Sequence, residues 1–208
     1  EGVDYSVKNG LAVVEVSMSL PVVGAAYQLR YTVNGSGKIQ VEALYKPKKE
    51  KIPLMPKFGM RMRLPSSMDY VKWYGRGEFE NYPDRKTAAL VGYYTTDLNS
   101  FVTDYAFPQD NANRCDVRWF SLNDKENRTI KVTGLQPLCF RVWPYGEEDL
   151  EKSRHAYELP GRDYVNVNID LNIHGVGGAD SWGARTLDEY TIDGNQAYYY
   201  GYLMEYSD

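Results

Sequence analysis

Carboxylates are the residues of this chain that first suggest chemistry. Hydrolysis of a glycosidic bond uses two of them across the scissile bond, one as the acid and the other as nucleophile or base. Glu78, Glu80 and Asp84 lie in GRGEFENYPDR, and Asp180 lies in GVGGADSWG. Capping a turn or pairing with a nearby Arg is the commoner role for any single one of them. The sequence therefore supplies candidates without assigning a catalytic pair.

A second candidate is the aromatic residue Trp182, in the segment 175–183 (GVGGADSWG). The four glycines of this segment permit tight backbone conformations, which places Trp182 at the tip of a loop of otherwise small residues. An indole ring can stack on the apolar C–H face of a pyranose while its N–H bonds a hydroxyl. A Trp folded back into the core is the alternative, and the sequence leaves both open.

The elements that position these residues are predicted to be β-strands, separated by clusters of Gly, Pro, Asn and Asp, as is typical of all-β proteins. Residues 34–37 (NGSG) predict a hairpin turn. An acidic first turn predicts one helix at residues 147–157. The predicted strands are 27–33, 39–45, 57–64, 70–74, 116–122, 129–132, 139–143, 164–173 and 197–206.

Residues 165–174 alternate without exception between apolar and polar side chains, which predicts a strand with one buried face. The polar row is Asn166, Asn168, Asp170, Asn172 and His174. Its amides could hydrogen-bond sugar hydroxyls, because Asn supplies both donor and acceptor. A solvated sheet face is the interpretation that the sequence favours.

Composition excludes several classes of function. The 208 residues carry 24 Lys and Arg against 28 Asp and Glu, a net charge of −4, which argues against nucleic acid and anionic membranes as partners. The apolar stretch 11–27 is interrupted by Glu15 and Pro21, so no membrane span is expected and the chain should be soluble. The two Cys and two His residues lack metal-ligand spacing. Two Cys residues allow one disulfide bridge at most, which is too few for a disulfide framework. The sequence does not indicate the cellular compartment. A chain that begins at Glu1 is interpreted as a piece of a longer protein, without the region that would carry a targeting signal.

Four segments, in order, resemble the C-terminal module of the family 2 β-galactosidases, called the β-galactosidase small chain. They are residues 56–65 (PKFGMRMRLP), 73–88 (WYGRGEFENYPDRKTA), 105–119 (YAFPQDNANRCDVRW) and 169–183 (IDLNIHGVGGADSWG). Two departures are Glu78, where the family usually has Pro, and Ala112, where it usually has Gly. Because the segments spread over most of the chain, residues 1–208 are interpreted as a single small-chain module, a fragment of a larger polypeptide.

The resemblance implies a large antiparallel β-sandwich (supersandwich) of the galactose mutarotase-like kind, with its first strands upstream of Glu1. It also implies that Trp182 reaches into the galactoside site, with Asp180, Ser181 and His174 as its neighbours. Residues implied to have structural roles in the motifs are Asn81, Asp84, Arg85, Arg114 and Asp116. The family's catalytic glutamates, magnesium and sodium belong to a separate barrel domain, so no catalytic residue, metal or cofactor is expected in this chain.

The leading hypothesis is a non-catalytic module of a retaining β-galactosidase, which hydrolyses terminal β-galactosides. Its expected partners are the β-galactoside, the catalytic barrel of the parent chain and further copies of the parent in an oligomer. One alternative is a self-standing carbohydrate-binding module. An independent epimerase ranks last, because such chemistry needs a base and an acid across the anomeric centre and neither His155 nor His174 lies in a suitable context.

Overall fold

A computed structural model describes residues 2–178, 180 and 182–208 of the chain. Antiparallel β-strands dominate its secondary structure, so the predicted all-β class is confirmed. The strands within the described residues are β1 Gly2–Lys8, β2 Leu11–Leu20, β3 Ala25–Asn34, β4 Ile39–Pro47, β5 Lys57–Pro65, β6 Tyr70–Gly77, β7 Leu90–Asp97, β8 Arg114–Asn123, β9 Thr129–Trp143, β10 Tyr164–Ile173 and β11 Tyr198–Ser207.

The strands form two layers that share the long strand β9. One layer follows the order β1-β2-β3-β4-β11-β9-β8-β6-β7. The other contains β5 and β10, and β10 pairs with the second half of β9. The first half of β9 pairs with β11 instead. The strand therefore passes from one layer to the other, as strands do at the corners of a sandwich.

Aromatic side chains fill much of the core between the layers. Phe58 of β5 meets Tyr45 of β4 and Tyr200 of β11, with ring centroids 6.0 and 5.5 Å apart. The hydroxyl of Tyr200 donates to the carbonyl oxygen of Ile169 in β10 at 3.1 Å. A buried Tyr thus contributes apolar area while its polar end is satisfied by the facing strand.

Several strand predictions are confirmed and others change. The hairpin at residues 34–37 joins β3 to β4, and β10 has the predicted bounds. The separate strands predicted at 129–132 and 139–143 are wrong, because both belong to the continuous strand β9. Strands β1, β2 and β7 were not predicted. Asn9 and Gly10, with φ of +52° and +76°, are the turn signal that could have revealed the β1–β2 hairpin.

The predicted helix at 147–157 is shorter than expected. The chain forms α1 at Leu98–Phe101 and α2 at Glu147–Lys152, and a separate 3₁₀ turn follows at Ala156–Glu158. The Glu158 carboxylate accepts from the backbone N–H of Arg154 at 2.7 Å, which favours a new turn over continuation of α2. Among the described residues, no helix has the length and apolar character needed to cross a bilayer.

The favoured interpretation of the polar row of β10 is wrong. Asn166, Asn168 and Asp170 are buried, as are the apolar residues between them, so β10 is covered on both faces along most of its length. The amides bond one another and nearby charges: Asn166 Nδ2 donates to Asn168 Oδ1, and Asn168 Nδ2 donates to Glu147 Oε1. The period-two pattern is the same for a solvated and for a covered polar face, so the alternation cannot distinguish them.

Candidate functional site

Trp182 lies in the loop that follows β10, and 92% of its surface is exposed. Asp180 shapes the tip, because its Oδ1 accepts from the backbone N–H of Trp182 at 2.7 Å and of Ala184 at 3.2 Å. Gly183 has a φ of +95°, which favours glycine at this turn. The alternative that Trp182 folds back into the core is therefore wrong. Ser181, which the resemblance places beside it, lies outside the described residues.

Asp84 contacts the base of the same loop. Its Oδ2 accepts from the backbone N–H of Gly177 at 2.6 Å and lies 3.3 Å from the hydroxyl of Thr186, which donates to it. Gly177 and Thr186 stand on the two limbs of the loop, before and after Trp182. The resemblance gave Asp84 a structural role in its motif, and the structure places it against the loop that carries the tryptophan.

His174 lies where β10 ends and the loop begins. Its backbone N–H donates to the Pro56 carbonyl at 2.8 Å, and its Nδ1 lies 2.6 Å from the carbonyl oxygen of Gly175. Because a carbonyl only accepts, Nδ1 is the donor in this contact. Beside His174 is an open cleft of about 510 Å³, lined also by Asp110, Arg185 and residues 53–56. His174 thus lies at the base of the loop, in contact with Pro56 and Gly175.

Asn81 and Arg85 join the loop of residues 78–88 to the rest of the molecule. Asn81 is buried, and its Oδ1 accepts from the backbone N–H of Cys115 at 2.8 Å. Arg85 lies over the ring of Tyr82 at 5.0 Å and forms an ion pair with Glu80. Glu80 also accepts from other groups, so its carboxylate is occupied by structural contacts.

Arg114 and Asp116 lie at the start of β8 and have different surroundings. Arg114 is buried over the ring of Phe101 at 4.3 Å and donates to the carbonyl of Ala112 at 3.1 Å, and burial lowers its pKa to about 10. Burial acts to raise the pKa of Asp116, but hydrogen bonds from Arg76 and Lys86 prevail and hold it below its usual range. Ala112 adopts a φ of +63°, a conformation that favours the Gly usual in the family.

A buried ionic cluster next to the cleft was not predicted. Arg141 is fully buried, and it donates to Asp170 at 3.0 Å and to Asp110 at 2.9 Å. Burial raises the pKa of Asp170, while Arg141 opposes this rise. Tyr82 donates to Asp110 at 2.7 Å from the other side. The one sequence signal was a charged residue within the apolar run LCFRVW at 138–143, since a buried charge requires partners.

The candidate carboxylates are thus held in different ways. Asp84 and Asp180 accept from groups of the Trp182 loop, Glu80 accepts from Arg85 and Tyr105, and Glu78 is exposed. A carboxylate already engaged in hydrogen bonds to backbone N–H groups or Arg is stabilised as a structural anion. What projects freely from this part of the molecule is an apolar ring, which is suited to stacking.

The two layers define the chain as an antiparallel β-sandwich of the galactose mutarotase-like class. Galactose 1-epimerase from Lactobacillus acidophilus matches 99% of this chain and 65% of its own, with a TM-score of 0.51 and 9% identity. GH36 α-galactosidase AgaA from Geobacillus stearothermophilus matches the whole chain and 25% of its own, with a TM-score of 0.52 and 11% identity. At these identities the likeness concerns the fold alone.

The chain belongs to the family described as the β-galactosidase small chain, which it matches over residues 2–204. The β-galactosidase of Priestia megaterium is 34% identical over 186 residues, 89% of this chain and 18% of that protein. That of Pseudoalteromonas haloplanktis is 38% identical over 173 residues, 83% of this chain and 16% of that protein. The chain thus spans less than one fifth of the length of these curated relatives, and it is similar to one part of them.

Proposed function

We propose that this chain is the part of a retaining β-galactosidase that completes the galactoside site with Trp182 and supplies no catalytic carboxylate. The observation that supports this proposal is the exposed indole of Trp182 at the tip of a loop. Asp84 forms hydrogen bonds to the base of this loop and Asp180 forms them at its tip. A large exposed apolar ring is costly in water, so a partner or ligand that covers it gains favourable burial. The similarity to β-galactosidases supports a β-galactoside as that ligand.

In this mechanism the ring of Trp182 stacks on the C–H face of the galactose and excludes water from that side. Its indole N–H remains free to donate to a hydroxyl. The acid and the nucleophile are two glutamates of the parent's barrel domain, so the chemical step does not involve this chain. Its contribution is binding energy and orientation at the reacting centre.

The proposed magnesium and sodium ions are likewise assigned to the barrel domain. Within residues 2–178, 180 and 182–208, no group of three or more His, Cys, Asp or Glu side chains is placed to hold a metal ion. Hard cations such as magnesium need several oxygen ligands around one point.

The test is Trp182→Ala in the full-length protein that contains this chain, assayed with lactose. Loss of the stacking surface is expected to cost about one to a few kcal/mol of transition-state binding, seen as a fall in kcat/KM. The stability of the protein should change little, because the ring is almost fully exposed. Thermal unfolding of the two proteins checks this.

The matched control is Tyr157→Ala, which removes another aromatic ring that is 83% exposed. We expect its kcat/KM to equal that of the unmodified protein, because Tyr157 lies on the separate 3₁₀ turn. Unchanged kinetics for Trp182→Ala, or an equal loss in both variants, would contradict the proposed role of Trp182.

A further inference from the structure

We propose that Asp84 is a positioning residue for galactoside binding, because its carboxylate ties together the two limbs of the Trp182 loop and sets the direction in which the indole projects. The inference rests on the proposed role of Trp182. Asp84 itself does not need to touch the sugar. Its effect is transmitted through Gly177 on the first limb and Thr186 on the second.

The turn that carries Asp84 is rigid. Asp84 follows Pro83 in a tight turn, in which the backbone N–H of Arg85 donates to the carbonyl of Tyr82 at 2.9 Å. Tyr82 is fully buried and its hydroxyl is bonded to Asp110. Proline fixes its own φ, and the buried phenol anchors the turn to the core, so the Asp84 carboxylate stands on a fixed base.

The Trp182 loop packs closely around the Asp84 carboxylate. A Cβ atom at Gly175 would lie 2.8 Å from Asp84 Cγ, and one at Gly177 would lie 3.0 Å from Asp84 Oδ2. Nearer the tip, a Cβ at Gly178 would lie 2.6 Å from the carbonyl oxygen of Ala184, so the two limbs touch there as well. The glycines thus allow the limbs to close around Asp84 and against each other.

The contact between Asp84 and the loop consists of two hydrogen bonds. A backbone N–H and a hydroxyl both donate to the same Oδ2, so this point requires an acceptor, and a charged oxygen makes stronger hydrogen bonds than a neutral one. Without the carboxylate the two limbs lose their common partner. Trp182 then samples more orientations, and the stacking geometry must be restored at an entropic cost during binding.

The experiment is a double-mutant cycle in the full-length protein, with Asp84→Ala, Trp182→Ala and the double variant, each assayed with lactose. We expect Asp84→Ala alone to lower kcat/KM by about tenfold, as a misplaced binding group does. In the Trp182→Ala background the same substitution should have no further effect, because nothing is left to position. Asp84→Asn, which keeps an oxygen acceptor, should retain most of the activity.

The control is Asp163→Ala, at an exposed carboxylate in the turn before β10, which should leave kcat/KM unchanged. If Asp84→Ala fails to fold, Thr186→Val keeps the side-chain shape and removes only one hydrogen bond. Its expected loss is roughly two- to tenfold, the range of a single hydrogen bond, and is again absent in the Trp182→Ala background. A loss that persists unchanged in that background would overturn the proposal, because it would reflect a general structural defect.

Hydrogen exchange of the Gly177 amide provides a readout independent of catalysis. Asp84→Ala should speed its exchange while amides of β10 remain protected, because the lost bond is local. If Trp182→Ala has normal kinetics, the proposed function fails, whereas the exchange result still tests the contact. If Trp182→Ala is impaired and Asp84→Ala has normal kinetics, the positioning role alone is wrong.

Discussion

At the scale of single residues, the same side-chain type has opposite roles in different parts of the molecule. Trp182 is exposed on a loop, whereas Trp73 and Trp143 are buried in the core with their indole N–H groups bonded to backbone carbonyls. The difference follows from the neighbours, because the core surrounds both buried rings and the carbonyls of Arg76 and Asn111 accept from their N–H groups. The ring of Trp182 is almost fully exposed, so it is available to an external surface.

Arg141 provides a residue-scale prediction. Arg141→Met leaves the buried carboxylate of Asp170 without its cation, and removal of one partner of a buried pair costs about 3–5 kcal/mol. We expect urea unfolding to show that loss in the free energy of unfolding. Arg154→Met, at an exposed Arg, should stay within about 0.5 kcal/mol of the original protein.

The double variant Arg141→Met with Asp170→Leu distinguishes pairing from packing. Apolar replacement of both partners removes the uncompensated charge, and the partly exposed Asp110 keeps access to water. We expect it to recover much of the stability lost in Arg141→Met. Equal stabilities of Arg141→Met and Arg154→Met would show that the buried cluster does not hold this part of the fold together.

At the scale of elements, the fold depends on the close approach of β5 and β10. A Cβ atom at Gly59 would lie 1.9 Å from Asp170 Oδ1 and 2.5 Å from Asp170 Cα, beside the shift in register between Asp170 and Asn172. No larger side chain fits there without movement of the strand. The absence of a side chain at Gly59 therefore lets the ionic cluster form at the centre of this layer.

Gly59→Ala is accordingly expected to destabilise the chain. Overpacking of this kind costs typically about 1–3 kcal/mol, and the backbone contact places this case toward the upper end. Gly35→Ala is the matched control, because nothing lies within 4 Å of a Cβ at that turn position. Equal unfolding midpoints in urea for the two variants would refute the importance of the β5–β10 contact.

At the scale of the whole molecule, the central question is whether the chain binds or acts by itself. We expect no heat change when lactose is titrated into the purified chain by calorimetry, with circular dichroism confirming β-structure in the same sample. The reason is that stacking on one indole leaves most of a sugar in water, and the other contacts are proposed to come from the barrel domain. The chain covers only 18% of its Priestia megaterium relative, which leaves room for that domain.

Other outcomes of the titration have definite meanings. Saturating heat would favour a self-standing carbohydrate-binding module, the alternative that the sequence left open. Sustained heat would indicate turnover and would contradict the assignment of the catalytic pair to another domain. A Trp182→Ala sample is the control in both cases, since binding that involves the loop must weaken when the ring is removed.

The sequence by itself determined the all-β class, the β3–β4 hairpin, the bounds of β10 and, through its four motifs, the family. These depend on local patterns: side-chain alternation, turn residues and rare residues in order. Only the tertiary structure decided that the polar row of β10 is buried, that residues 129–143 form one strand across both layers, and that Asp84 reaches the loop of Trp182. Asp84 and Thr186 are 102 residues apart, and contacts at such separation depend on how strands pair and layers stack. Local sequence patterns carry no information about that pairing, so these three features could not be predicted from the sequence.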